Sequence, residues 1–164
     1  MRAIYLSENL IVGEAINIDG DKAHHFYNVL RLRVGDKILV LSGAGVSSIA
    51  EIEAISKRFV SIKCLEQETH ETPKLQIDLG ISKLKKDAMD SVLKAACELG
   101  IMNIHILDSE YSQNYPLKPS RLEKLLISGL EQSNNPFMPN IYEGKIFDIN
   151  FNEYSKIFLF SSPL

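Results

Sequence analysis

The stretch LQIDLGISKLKKDAMDSVLKAACELGIMNIHIL, residues 75–107, decides the fold class. Leu75 to Ile81 reads as a strand. From Lys86 to Leu99 the apolar period lengthens, placing Met89, Val92, Leu93 and Ala96 on one helical face. Gly100 supplies the C-terminal stop, and Ile101 to Leu107 is a second strand. Strand, helix and strand in succession form the unit of a parallel sheet. Downstream, Ser120 to Ser133 repeats the helical pattern with Leu122, Leu125, Leu126 and Leu130 inward. Asn140 to Glu143 is briefly extended, and Lys156 to Ser161 is predicted as a further strand. In open α/β sheets the ligand lies beyond the carboxyl ends of the strands. Lys83, Lys85 and Lys86 stand near that end, with Lys94 further along the helix. A solvated helix start, partly balanced by Asp87 and Asp90, accounts for them equally well.

Upstream the pattern is different. Ala3 to Leu6, Leu10 to Ile18, Lys37 to Ser42, Ser48 to Ile55 and Phe59 to Leu65 are short runs of β character. Asp19-Gly20, Gly35-Asp36 and Gly43-Ala44-Gly45 mark turns between them. Such spacing points to a small barrel. Asp21 to Leu30 is the exception: Asp21 is placed to cap a helix, with Ala23, Phe26, Tyr27 and Leu30 on one face. Glu66 to Pro73 is polar, acidic and proline-terminated, so no element is expected there. It separates a unit over residues 1–68 from one over 74–164.

Composition narrows the function classes. The 164 residues are 45% apolar and 24% charged, the profile of a core-forming chain. No run is long enough for a membrane span and no signal peptide is recognisable, so a soluble cytoplasmic protein is expected. Cys64 and Cys97 lack any metal-ligand spacing, so no metal is expected and both thiols read as small buried hydrophobes. With a formal net charge of −3, RNA binding requires the basic residues to gather on one face. The densest gathering is His24-His25 with Arg31 and Arg33, where His can stack on bases and Arg can grip phosphates. Composition alone favours a solvated face over an RNA site there. Glu131-Gln132-Ser133, before Asn134-Asn135-Pro136, reads as an ordinary helix stop. No nucleophile, phosphate-loop or dinucleotide motif stands out.

Taken together, Ala23-His24-His25 with Val29-Leu30-Arg31-Leu32-Arg33-Val34-Gly35-Asp36 is similar to the N-terminal stretch of the RsmE family of ribosomal RNA methyltransferases. Lys85, Asp87 and Met89, then Glu98-Leu99-Gly100-Ile101, resemble its first catalytic-domain helix, and Ser109-Glu110, Glu131-Gln132-Ser133 and Pro139 follow at the family's spacing. The resemblance implies an α/β protein: a small PUA-like β barrel, then a SPOUT-type parallel α/β domain with a trefoil knot. It implies methylation of N3 of a uridine in 16S ribosomal RNA, with S-adenosylmethionine as donor, the small ribosomal subunit as partner and a homodimer as assembly. The base must be turned out to reach the methyl group, and a nearby cation can stabilise its developing negative charge. His24, His25, Arg31, Arg33 and Lys85 are the expected RNA-binding residues, and Phe160, Ser161 and Ser162 the expected cofactor wall. No catalytic residue is assigned. The family's Gly-Pro-Glu-Gly-Gly loop and knot segment do not occur in these 164 residues, so the SPOUT unit is expected to be incomplete and the chain an inactive fragment. Ala95, Tyr111 and Asn135 stand where the family usually carries Lys, Arg and Arg. The alternative is a non-catalytic RNA-binding protein of the same fold.

Overall fold

A computed structural model of the chain describes residues 1–8, 10–110 and 112–160. Two sheets organise it. The first is five-stranded in the order β1-β3-β4-β5-β2, with β1 Arg2–Tyr5, β2 Ala15–Asp19, β3 Lys37–Leu41, β4 Val46–Ile55 and β5 Phe59–Thr69. All its pairings are antiparallel except β1 with β3. The second is three-stranded and wholly parallel in the order β6-β7-β8, with β6 Asp78–Ser82, β7 Asn103–Leu107 and β8 Asn140–Gly144. Helix α2, Lys86–Glu98, and helix α3, Pro119–Ser133, make its crossovers.

The sequence distinguishes strands with one buried face from strands with two. In β5, Val60, Ile62 and Cys64 point into the barrel core while Ser61 and Lys63 alternate outward. β1 and β3 are apolar at consecutive positions because both faces are covered. Ile4, Ile38 and Val40 enter the barrel core, whereas Ala3, Tyr5, Leu39 and Leu41 pack with α2, α3 and the second sheet. Each such fully buried aliphatic side chain contributes roughly 1.5–3 kcal/mol. The two cores therefore meet across one layer of strands.

On its other side the second core is closed by helices. Met89, Leu93, Ala96 and Cys97 of α2 face Leu122, Leu126 and Leu130 of α3, over Ile104 and Ile106 of β7. α2 and α3 approach closely at Gly129, where an added Cβ would lie 2.7 Å from Cys97 Cβ. Both cysteines are free and buried, as the sequence predicts.

Four expectations need correction. β5 continues to Thr69, because Glu66 to Thr69 pair with Val46 to Ile49; side-chain polarity there did not prevent backbone pairing. The N-cap of α1, Gly20–His24, is Asp19 rather than Asp21, and no side chain caps it. The helix also does not run on regularly: His25–Val29 is π-helical, and the wider turn leaves Tyr27 exposed while Ala23 and Phe26 stay buried. Finally, Lys156 to Phe160 forms no strand. Its apolar run has strand propensity but takes no partner on either edge of the parallel sheet, and Phe158, Leu159 and Phe160 remain exposed.

Candidate nucleic-acid interface

The basic run of the barrel owes its shape to the π-turn. The Leu30 N–H donates to the His25 carbonyl at 3.0 Å and the Leu32 N–H to the Phe26 carbonyl at 3.1 Å. This folds the chain back and leaves Arg31 between them in the left-handed region, at φ 54°. A bulky residue there is strained, a position glycine or asparagine would normally fill. Single π-turns and strained non-glycine residues both concentrate at functional sites. His24, His25, Arg31 and Arg33 are all exposed. The Asp36 carboxylate accepts the Arg33 backbone N–H at 2.7 Å, so it shapes the loop and leaves the guanidinium out of its hydrogen bond. None of the four side chains enters an ion pair among the described residues. The four thus lie exposed on one continuous segment, from the end of α1 through the π-turn into the loop after it. Lys85 belongs to the other sheet, exposed immediately before α2 at the carboxyl end of β6.

At that carboxyl end three strands deliver charge to one point. Lys83, following β6, has only 12% of its side chain exposed. Its Nζ lies 3.6 Å from Asp108, beyond β7, and 4.0 Å from Glu143 of β8. Ser109 Oγ donates to Ser82 Oγ at 3.1 Å and Tyr115 Oη to the Leu84 carbonyl at 3.0 Å, with burial raising the tyrosine pKa. Arg121 pairs with Asp90 at the start of the helical layer. Lys83, Asp108 and Glu143 are thus paired with one another, and beside them an open cavity of about 230 Å³ is lined by Leu107, Glu143, Gly144, Lys145 and Asp148. Phe160, expected as a cofactor wall, is 92% exposed. Ser161, Ser162 and Tyr111 lie outside the described residues.

The face of the parallel sheet away from the helices carries a cluster that sequence reasoning missed. His105 stacks on Tyr142, their ring centroids 5.2 Å apart. Tyr154 Oη donates to Asp78 at 2.7 Å and stands 3.4 Å from His105 Nε2. That hydrogen bond, with burial adding to it, raises the Tyr154 pKa to about 12. The available signal was the alternation of Asn103, His105 and Leu107 against Ile104 and Ile106.

Two seams join the barrel to the second unit. The Tyr5 N–H donates to Glu131 Oε1 of α3 at 3.0 Å. The turn at Gly43 to Gly45 meets the segment after α3, with Gly45 N–H on the Pro136 carbonyl at 2.9 Å and Met138 N–H on the Gly43 carbonyl at 2.8 Å. Asn135 holds that segment in place, donating to the Cys97 carbonyl and accepting from the Phe137 N–H. Glu131 is therefore more than a helix stop. Asn135, which stands where the resembled family carries arginine, has a structural task instead.

Comparison with known proteins places this arrangement. Residues 18–65 match a family model described as RNA methyltransferase PUA domain, and residues 70–161 one described as RNA methyltransferase domain. The chain is 31% identical over 148 residues to Ribosomal RNA small subunit methyltransferase E 2 of Borreliella burgdorferi, covering 86% of this chain and 61% of that one. It is 29% identical over 139 residues to Ribosomal RNA small subunit methyltransferase E of Rickettsia conorii, covering 84% of this chain and 57% of that protein. Among solved structures, the same enzyme from Neisseria gonorrhoeae, bound to S-adenosyl methionine, superposes with a TM-score of 0.77 at 28% identity, over 87% of this chain and 62% of that one. The chain thus spans about three fifths of the length of the relatives it matches. With the RNA methyltransferase domain matched over residues 70–161, more than half of its length, and the PUA domain before it, the chain belongs to the RNA methyltransferase family.

Proposed function

We propose that this chain serves methylation of N3 of a uridine in 16S ribosomal RNA in the cytoplasm, with S-adenosylmethionine as the donor and its barrel holding the RNA. The observation that carries the RNA part is the exposed, unpaired run His24, His25, Arg31 and Arg33 on a strained π-turn. Lys85 would add a phosphate contact from the second unit. The functional division falls between residues 1–68 and 74–164, with the exposed residues 71–73 in the stretch between them. A homodimer is the expected assembly, favoured by the exposed Phe158, Leu159 and Phe160.

The residues present do not by themselves fit S-adenosylmethionine. A site for a ligand of that size buries most of its surface in a concavity of roughly 300–1,000 Å³, whereas the strand ends here offer an open cavity of about 230 Å³ and Lys83, Asp108 and Glu143 already paired. That favours a second reading, in which the 164-residue chain binds RNA without catalysis. Calorimetric titration of S-adenosylmethionine, beside methyl transfer from tritiated donor to small-subunit RNA, separates the two. The second reading predicts no heat and no transfer from this chain alone. A dissociation constant near micromolar, about −8 kcal/mol, together with transfer, would establish the first for the chain as it stands.

A further inference from the structure

Between β1 and α3 an open cleft of about 400 Å³ is lined by Arg2, Leu30, Ser128, Glu131, Gln132 and Asn134. It is open along one side and lies at the junction of the two units, where ligand sites are commonly found. The hydrogen-bonding groups in it differ in kind. Arg2 is a cation with a forked donor set. Gln132 is exposed and offers both donor and acceptor on one planar amide. Glu131 is half-buried, and the Tyr5 N–H fixes its Oε1 while Oε2 retains acceptor capacity. Leu30, half-buried, adds an apolar wall. Among the described residues Arg2, Ser128 and Gln132 spend no side-chain group on a protein partner. An anion, a planar polar edge and an apolar face together describe a nucleotide.

The cleft borders the basic run at Leu30, which lines it and directly precedes the strained Arg31. We propose that it binds one nucleotide of single-stranded RNA, a neighbour of the phosphates gripped by Arg31 and Arg33. Arg2 takes the phosphate, Gln132 reads the base edge, and Glu131 Oε2 accepts a base N–H. Bases are open to such reading only when unpaired. This assignment rests on the RNA-binding reading given above and adds a second subsite to it.

The test is fluorescence anisotropy of the full chain with a labelled uridine-rich 12-nucleotide RNA, single-stranded and then annealed to its complement, in a salt series. Gln132→Ala, at an exposed position, should weaken single-strand binding about fivefold to tenfold, since one hydrogen-bonding partner is lost. It should leave the salt slope unchanged and duplex binding untouched. Arg2→Ala should weaken binding and flatten the slope by about one. If both variants bind like the parent while Arg31→Ala/Arg33→Ala loses affinity, the cleft assignment is wrong and the basic edge survives. Equal losses on single strand and duplex also overturn it. Displacement of the 12-mer by micromolar uridine monophosphate would make the cleft a free-nucleotide site instead. If the parent chain binds neither RNA, the RNA reading and the subsite fall together.

Discussion

Tyr154 Oη lies 2.7 Å from Asp78 Oδ2, although 76 residues separate the two. The bond ties the segment after β8 to the first residue of β6. Asp78 Oδ1 is meanwhile held by Asn103 Nδ2 at 2.8 Å, and Asn103 in turn by Asn140 at 3.0 Å. These three residues open the three parallel strands, so the chain of hydrogen bonds crosses the whole sheet at its amino end.

Replacing Tyr154 with Phe should cost about 1–2 kcal/mol at neutral pH, the scale of a hydrogen bond to a charged acceptor. The folded pKa of Tyr154, about 12, exceeds the ordinary value of 10.0. Its stabilisation is therefore complete below pH 10 and is lost as pH rises towards 12. Denaturant melts at pH 7, 9 and 11 should show the gap between parent and variant closing only at the highest pH. A gap that is absent at pH 7 would mean that the segment is not fastened here.

Glu131 ties helix to barrel. Glu131→Ala removes the acceptor for the Tyr5 N–H and should cost about 1–3 kcal/mol. Glu131→Gln retains an oxygen in that place and should recover most of the loss in a urea melt. Equal destabilisation by both variants would assign the effect to charge.

Gly129→Ala tests the contact of α2 with α3. A methyl there meets Cys97 Cβ at 2.7 Å and the Lys94 carbonyl at 2.9 Å, and backbone does not yield cheaply. Destabilisation of about 1–3 kcal/mol is expected in spite of alanine's better helix propensity. The same packing, by burying Cys97, raises its thiol pKa to about 11. Native protein at pH 8 should react with thiol reagents only as fast as it unfolds. Rapid labelling of Cys97 would show the helix pair to be open.

Limited proteolysis should cut first within residues 71–77, which are exposed throughout, and not within 66–69, which β5 holds in its ladder with β4. An initial cut in 66–69 would count against that pairing.

Much of the fold was legible in the sequence because burial has a period. The alternation of Val60, Ile62 and Cys64 and the helical spacing of Met89, Leu93 and Ala96 each indicate which face is inward. What failed involved backbone. Glu66 to Thr69 joined a ladder that needs no apolar side chain, and the π-turn at His25–Val29 is an insertion no side-chain period records. Lys156 to Phe160 has the composition of a strand, but composition does not supply a pairing edge. The candidate site was legible in part. The basic run stood out by density, whereas Glu131 and the Lys83 cluster depend on contacts between residues 25–126 positions apart. Local patterning carries no information about such pairs.

The central claim, that the run from His24 to Arg33 is an RNA-binding edge, is tested most directly by the salt dependence of RNA affinity. The chain and its Arg31→Ala/Arg33→Ala variant are titrated with a small-subunit RNA fragment between 50 and 200 mM salt, roughly the span over which counterion release is resolved. Two lost phosphate contacts should lower affinity and reduce the slope of log K against log salt by about two. An unchanged slope would mean that these arginines do not touch RNA, and the interface would have to be sought elsewhere on the chain.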